Sequence, residues 1–225
     1  MNLSKQFIVS FFIASTAIAA DINPNEIVKN ADLRRGLGDV SHSFNVTVTN
    51  QDNKKEVYKV SFQNVNSSLT EQTEPERSRG RKILMNGYDI WLYTPNIKKP
   101  LRISLEQKLT GEVANGDIAR TNYAEDYEAT LLGIEKKGAN EYYKLDLKAK
   151  NKKVTYGRIE YYVAKKDFTP VEATFFALSG KPLKRALFGD FKPIQGLSRS
   201  TKMVITDYLQ KEKVSTLVFS DHKAQ

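Results

Sequence analysis

The sequence predicts a mainly β protein of the α+β class, one long antiparallel sheet with very few helices. Three observations predict it. Apolar residues recur at helical spacing near residue 27, and from about residue 44 onward they recur at every second position. Turn signals such as Met85-Asn86-Gly87 and Lys137-Gly138-Ala139-Asn140 punctuate the alternating runs. Strand follows strand without an intervening helix, which favours antiparallel pairing over β-α-β crossovers.

The elements follow in order. Residues 1–20, MNLSKQFIVSFFIASTAIAA, carry Lys5, an apolar run from Phe7 to Ile18, and small residues at Ala17 and Ala19. This is the pattern of a cleaved secretory signal peptide, leaving a mature chain of residues 21–225 as one domain. Asn23 then offers a cap, Pro24 suits a first helical turn, and Glu26 stands three residues after the cap. A helix over 24–35 follows, with Ile27, Val28, Ala31 and Leu33 as its buried stripe and Gly36 at its end. Phe44, Val46 and Val48 alternate with polar residues, as do Tyr58, Val60 and Phe62. Further strands are expected at 81–85, 88–94, 101–105, 127–135, 141–149, 158–166, 170–178, 183–188, 201–208 and 213–220, about twelve in all. Residues 66–80 are rich in Ser, Thr, Glu and Arg and read as a long hairpin connection. Residues 111–125 read as a short helix plus loop. No linker or internal repeat divides the chain. A sheet this long must curl to bury its apolar face, and so few helices cover only part of it, leaving an apolar concavity.

Composition narrows the function. The 225 residues include no cysteine and two histidines, with a formal charge of +9 that becomes +8 once the leader and its Lys5 are removed. Thiol catalysis, disulfides, Cys-zinc sites, iron–sulfur clusters and a lipid-bearing cysteine are all excluded. Two glycosylation-type triplets, Asn45-Val46-Thr47 and Asn66-Ser67-Ser68, are no more than chance supplies. A basic chain invites a nucleic-acid reading, but export places no nucleic acid in its path, and anionic lipid surfaces are the better-matched partner. Lys148, Lys150 and Lys152 alternate, which on a strand sets them on one solvated side.

Few residues could carry catalysis. Asp117, Glu125 and Asp126, or Asp89, could supply paired carboxylates, although no motif fixes their geometry. His42, expected at the surface where a strand starts, and His222, expected in a polar tail, lie far apart in the chain, so a metal site is not indicated. Ser179-Gly180-Lys181 lacks a nucleophile elbow and reads as a hairpin turn. Gly36-Leu37-Gly38 follows a helix rather than preceding one, the wrong order for a phosphate cradle. The aromatics are more informative. Phe62, Trp91, Tyr93 and Phe175 fall on strand candidates and are the expected lining of an apolar cavity.

The block Gly80-Arg81-Lys82-Ile83-Leu84-Met85 with Tyr88-Asp89-Ile90-Trp91-Leu92-Tyr93-Thr94-Pro95-Asn96 resembles the LolA-like outer-membrane lipoprotein-sorting family. Leu109-Thr110-Gly111, Asn115-Gly116-Asp117-Ile118-Ala119, Asn122-Tyr123, Asp126-Tyr127-Glu128-Ala129, Tyr143-Lys144-Leu145-Asp146-Leu147 and the Pro170 to Lys181 hairpin extend the resemblance over the mature chain. It is similar to a divergent branch whose cargo need not be lipoprotein. The resemblance implies an incomplete, half-open β-barrel with one to three helices plugging the concave face. It further implies a periplasmic, cofactor-free, non-enzymatic carrier of acyl chains, working between an inner-membrane transporter and an outer-membrane acceptor. Without a cysteine, the chain resembles the carrier of that pathway rather than its lipidated acceptor. Two other readings stay open: an accessory module that docks on an RND-type exporter without carrying lipid, and a hydrolase using Asp117 and Asp126.

Overall fold

A computed structural model of the chain describes residues 22–36, 41–120, 122–210 and 213–224. The signal peptide expected over residues 1–20 lies outside the described residues. Helix α1, Pro24–Arg35, starts as its sequence requires: the Asn23 side chain accepts a bond from the Asn25 amide, and Pro24 occupies the first turn. Ile27, Val28 and Ala31 are buried, whereas Leu33, expected with them, is 36% exposed.

The strands are β1 (His42–Asn50), β2 (Lys55–Asn64), β3 (Ser67–Glu74), β4 (Lys82–Asn86), β5 (Asp89–Tyr93) and β6 (Leu101–Ile103). A small hairpin, β7 (Lys108–Thr110) and β8 (Val113–Ala114), leads into α2 (Asn115–Ala119) and α3 (Tyr123–Asp126). Strands β9 (Tyr127–Lys137), β10 (Asn140–Ala149), β11 (Arg158–Ala164), β12 (Pro170–Phe176), β13 (Pro182–Ile194), β14 (Leu197–Asp207) and β15 (Val214–Ala224) complete the chain. Thirteen of them form one antiparallel sheet in the order β6-β5-β4-β3-β2-β1-β15-β14-β13-β12-β11-β10-β9. Each strand pairs with its sequence neighbour except at the β1–β15 seam, where Val46 faces Phe219 and Val48 faces Leu217. The sheet is not closed: β6 and β9 are its two edges. The chain must therefore travel from one edge to the other between residues 104 and 126, and it does so across the concave face, which is why α2 and α3 cover that face.

Two apolar clusters result. The larger, including Phe44, Val46, Tyr58, Phe62, Leu145, Leu147, Tyr161, Phe175 and Leu217, lies between the sheet and the helices. The smaller, Ile83, Met85, Ile90, Leu105 and Ala119, lies under the β4–β6 end.

Four expectations are corrected. Residues 66–80 are not a connection alone: β3 occupies most of them, followed by a 3-10 turn at Glu76–Ser78. The strand was hidden because its inward residues, Ser68, Thr70 and Gln72, are polar yet buried, so no apolar alternation marks it. Lys150 and Lys152 do not share a strand with Lys148, because β10 ends at Ala149. His42 is 2% exposed and stacks on Phe62 at 4.8 Å between ring centroids. His222 belongs to β15 rather than to a tail, and the β1–β15 register brings both histidines onto Phe44, with centroids 5.9 and 5.4 Å away.

Candidate functional site: an apolar concave face under a pinned helical cover

The concave face is built by strand alternation. Phe44, Val46 and Val48 of β1, Tyr58, Val60 and Phe62 of β2, and Ala173 and Phe175 of β12 point inward and are buried. Phe175 packs on Tyr156 at 4.3 Å. Of the four expected lining residues, Phe62 and Phe175 are thus in the concave interior, each 2% exposed. Trp91 and Tyr93 are on the other face. In β5 it is Ile90 and Leu92 that point inward; Trp91 pairs across strands with Leu84, which is 47% exposed, and with Arg102. Tyr93 is itself 41% exposed. The sequence block Trp91-Leu92-Tyr93 is apolar throughout, so composition could not tell its inward member from its outward ones.

Three polar clusters fasten the cover, two of them to the sheet and its turns and the third between its own helices. In the first, Asp117 at the start of α2 accepts bonds from Lys184 Nζ at 2.5 Å, the Tyr156 hydroxyl at 2.5 Å and the Ala114 amide at 2.8 Å. Lys184 also donates to the Glu112 carbonyl at 3.1 Å, and both partners of the pair are buried. In the second, Arg120 grips Asp126 bidentately, with both N···O distances 2.6 Å, and the Tyr88 hydroxyl donates to the same carboxylate at 2.9 Å. Arg120 reaches on to Asn66 and the Gly87 carbonyl, tying α2 and α3 to the β2–β3 and β4–β5 turns. In the third, Asp32 of α1 accepts from the Ala124 amide at 2.8 Å and pairs with Arg35 at 3.1 Å, while Arg35 lies 3.4 Å over the Tyr123 ring. Burial, opposed by Arg35, pushes the Asp32 carboxyl up to about 6.

The C-terminal end of α1 is closed from outside. Gly36 terminates the helix in extended rather than left-handed conformation. The buried Arg199 of β14 supplies the missing donors, its Nη1 bonding the Leu33 and Gly36 carbonyls while Nε bonds the Ile194 carbonyl at 3.0 Å. Burial and the neighbouring Arg34 bring its pKa down to about 10. His222 stands close by with both ring nitrogens buried and without a hydrogen-bond partner among the described residues. Burial, then the charges of Arg199 and His42, hold its pKa below the ordinary imidazole value.

Among the described residues, concavities of different size open onto this face. Beneath the helices a space of about 40 Å³ is lined by Arg35, Phe44, Asp117, Ile118, Phe188 and Met203 among others. It is far smaller than the roughly 300–1,000 Å³ of a ligand site, so the larger cluster is closed in this state. At the β4–β6 end a groove of about 300 Å³ is lined by Ile83, Leu92, Ile103 and Leu109 together with the polar Arg81, Gln107, Lys108 and Asn115. Another concavity, about 850 Å³, lies instead among the β9–β10, β11–β12 and β13–β14 hairpins and is lined by charges of both signs, including Lys165, Lys166, Glu141 and Asp167.

The expected carboxylate candidates are dispersed among other tasks: Asp117 and Asp126 are each held by a separate buried cation, Asp89 pairs with Arg102, and Glu125 accepts from Asn122. Among the described residues no three His, Asp or Glu side chains are placed to hold a metal ion. No described helix is long and apolar enough to cross a membrane.

A family model described only as an uncharacterized protein matches residues 64–225. Among solved structures, a LolA superfamily protein from Nitrosomonas europaea is 36% identical, over 91% of this chain and 94% of its own, with a TM-score of 0.85. The chain belongs to the LolA superfamily. The open sheet with helices on its concave side is the fold that this LolA-superfamily chain shares with its relatives. A putative outer-membrane lipoprotein-sorting protein domain from Vibrio parahaemolyticus matches at 23% identity over 90% of this chain and 92% of its own, with a TM-score of 0.75. A DUF1329 family protein from Desulfovibrio piger matches at 19% identity over 91% and 94%, with a TM-score of 0.76. The last two speak to the LolA-like fold alone. No curated protein matches the chain.

Proposed function

We propose that this protein is a periplasmic carrier that shields the acyl chains of lipoproteins or other lipids while they move between membranes, with no catalysis and no cofactor. In this reading residues 1–20 direct export, and residues 21–225 act as one lipid-binding domain. The carrying observation is a broad apolar concave face whose cover is made of three helices, two of them only 5 and 4 residues long, fastened at a few polar points. Displacing α1 and α2 would expose Phe44, Phe62, Phe175 and their neighbours to a tail. Each buried methylene is worth about 0.8 kcal/mol, so a tail of about 15 carbons supplies on the order of 10 kcal/mol gross. That is enough to replace helix packing without a permanent grip. The open groove at Ile83, Leu92, Ile103 and Leu109 offers a first foothold, and Arg81 and Lys108 in its lining suit an anionic headgroup. The partners would be an inner-membrane transporter and an outer-membrane acceptor.

Native mass spectrometry of the mature protein, purified gently from periplasm, tests the reading. A stoichiometric lipid or lipopeptide mass supports it. A bare mass that stays bare after incubation with membrane lipids refutes it. The second reading, a module docking on an RND-type exporter, draws on the outward Leu84, Trp91 and Tyr93 strip and predicts that same bare mass with a co-purifying transporter.

A further inference from the structure

Three loops meet at the end of the sheet that lies beside α2 and α3: residues 150–157, 177–182 and 207–210, the last followed by Lys213 just ahead of β15. Their adjacency is direct. The Gly157 amide bonds the Phe176 carbonyl at 2.9 Å, a Cβ at Gly157 would lie 2.7 Å from Leu178 Cα, and the Tyr208 amide bonds the Leu183 carbonyl at 2.9 Å. Their tips are apolar where loop tips are ordinarily polar: Leu178 is 68% exposed, Leu209 49% and Tyr208 40%. Around them stand the exposed Lys150, Lys152, Lys153, Lys181 and Lys213. Among the described residues of these loops Asp207 is the one acid, and it is buried. Two exposed leucines and a tyrosine on adjacent loops that carry five exposed lysines, with Asp52 near Lys213, match the interface of an anionic bilayer, with apolar tips for the acyl boundary and ammonium groups for phosphate headgroups.

The same loops also hold the cover. The Lys150 amide bonds the Asp126 carbonyl at 3.0 Å and its Nζ bonds the Ala124 carbonyl at 3.1 Å. The Tyr156 hydroxyl bonds Asp117, and Thr155 abuts Gly116 so closely that a Cβ there would meet its Oγ1 at 2.0 Å. We propose that this lysine-rich, leucine-tipped loop face is where the protein docks on an anionic membrane surface, bringing the α2–α3 cover to the headgroup layer. The proposal deepens the carrier reading and rests on it for its purpose, while its physical test does not.

The test uses the mature protein and vesicles of phosphatidylcholine with about 30% phosphatidylglycerol, read by co-sedimentation. Wild type binds these vesicles, and binding weakens steeply between 0.05 and 0.5 M salt as the lysines are screened. Lys152→Gln with Lys153→Gln lowers affinity about fivefold per lysine at low salt. Leu178→Asp with Leu209→Asp lowers it at least tenfold, at exposed positions that leave the near-UV circular dichroism unchanged. Ile134→Asp, at an exposed position near the β9–β10 turn and so at the other end of the strands, leaves binding as it was. Equal affinity for pure phosphatidylcholine, or loop variants that bind like wild type, overturns the docking face. Uptake of a fluorescent fatty acid below its aggregation concentration, measured without vesicles, separates the two ideas. Loop variants that lose vesicles but keep uptake support docking, and a wild type that binds vesicles through these loops but takes up nothing leaves docking standing while the carrier reading falls.

Discussion

Replacing Lys184 with methionine isolates the fastening of α2. The substitution keeps an unbranched apolar side chain but removes the ammonium, which bonds Asp117 at 2.5 Å and lies 5.2 and 5.9 Å from the Tyr156 and Phe175 ring centroids. Asp117 retains the Tyr156 hydroxyl and the Ala114 amide, yet its charge is left buried without a cation. Stranding one partner of a buried pair costs about 3–5 kcal/mol. Lys184→Met should therefore lower the urea midpoint at unchanged m-value, with a free-energy loss of about 3–5 kcal/mol. Adding Asp117→Asn removes the stranded charge while retaining an acceptor for the tyrosine and the amide, so the double variant should recover most of the loss. Hydrogen exchange locates the effect: in the single variant, protection should fall over residues 112–120 before it falls in β1 or β15, because only the cover has lost an anchor. If Lys184→Met costs less than about 1 kcal/mol, or if the double variant is no more stable than the single, Lys184 and Asp117 are not a desolvated pair and the pinned-cover account fails.

Other outcomes follow from the same geometry. Leu92→Asp in the open groove should abolish fatty-acid uptake with the fold retained, whereas Trp91→Asp on the outer face should leave uptake intact; equal effects would refute the assignment of faces. Gly116→Ala forces a methyl group into Thr155, so thermal unfolding should report a loss of about 1–3 kcal/mol, and Thr155→Ala should relieve it. Asp32 has a folded-state pKa of about 6 against an ordinary value of 3.8, so the folded protein binds this proton more tightly than the unfolded chain. Its contribution must then grow as pH falls from 7 toward 4, to about 3 kcal/mol, and Asp32→Asn should remove that part of the pH slope in denaturant titrations. A variant with the wild-type slope would show that Asp32 is not buried as described.

The sheet was legible because most inward positions are apolar and alternate, as in Phe44-Asn45-Val46-Thr47-Val48, and α1 was legible because Asn23, Pro24 and Glu26 agree on its start. The misses share a cause. Strand β3 turns Ser68, Thr70 and Gln72 inward, and Gln72 is satisfied by Glu56 rather than by burial among hydrocarbons, so hydropathy gave it no signal. His42 and His222 are 180 positions apart, and only the β1–β15 seam, a pairing of the first strand with the last, brings them onto one phenylalanine ring. Asp117 and Asp126 read as candidate paired carboxylates, but each is taken by a cation, Lys184 and Arg120, the first of them 67 residues distant in sequence. In the resemblance block Trp91 and Tyr93 stand out as large aromatics, while the inward residues of β5 are Ile90 and Leu92.

A carrier must close when empty and open when loaded, and the kind of fastening matters more than its number. An apolar seal alone grows with the area it covers and would compete directly with the cargo at the same 0.8 kcal/mol or so per methylene. Ion pairs such as Lys184–Asp117 and Arg120–Asp126 behave differently, because the attraction gained is largely offset by the cost of stripping water from both charges. Their net contribution is small while both partners are present, and each carries a steep penalty only if its partner is removed. In the opening that the carrier reading requires, Lys184 and Asp117 would part into water together while Arg120 and Asp126, both in the cover, would stay paired, so opening would avoid the stranded-charge penalty that a point mutant incurs. The cover can then be specific in its closed position and still shallow in free energy. For that reason the double variant Lys184→Met with Asp117→Asn is the sharper functional test: it should retain near-wild-type stability while its empty state, no longer registered by the pair, takes up fatty acid faster than wild type in stopped-flow fluorescence. Unchanged uptake kinetics would mean that α2 does not move when the concave face is loaded.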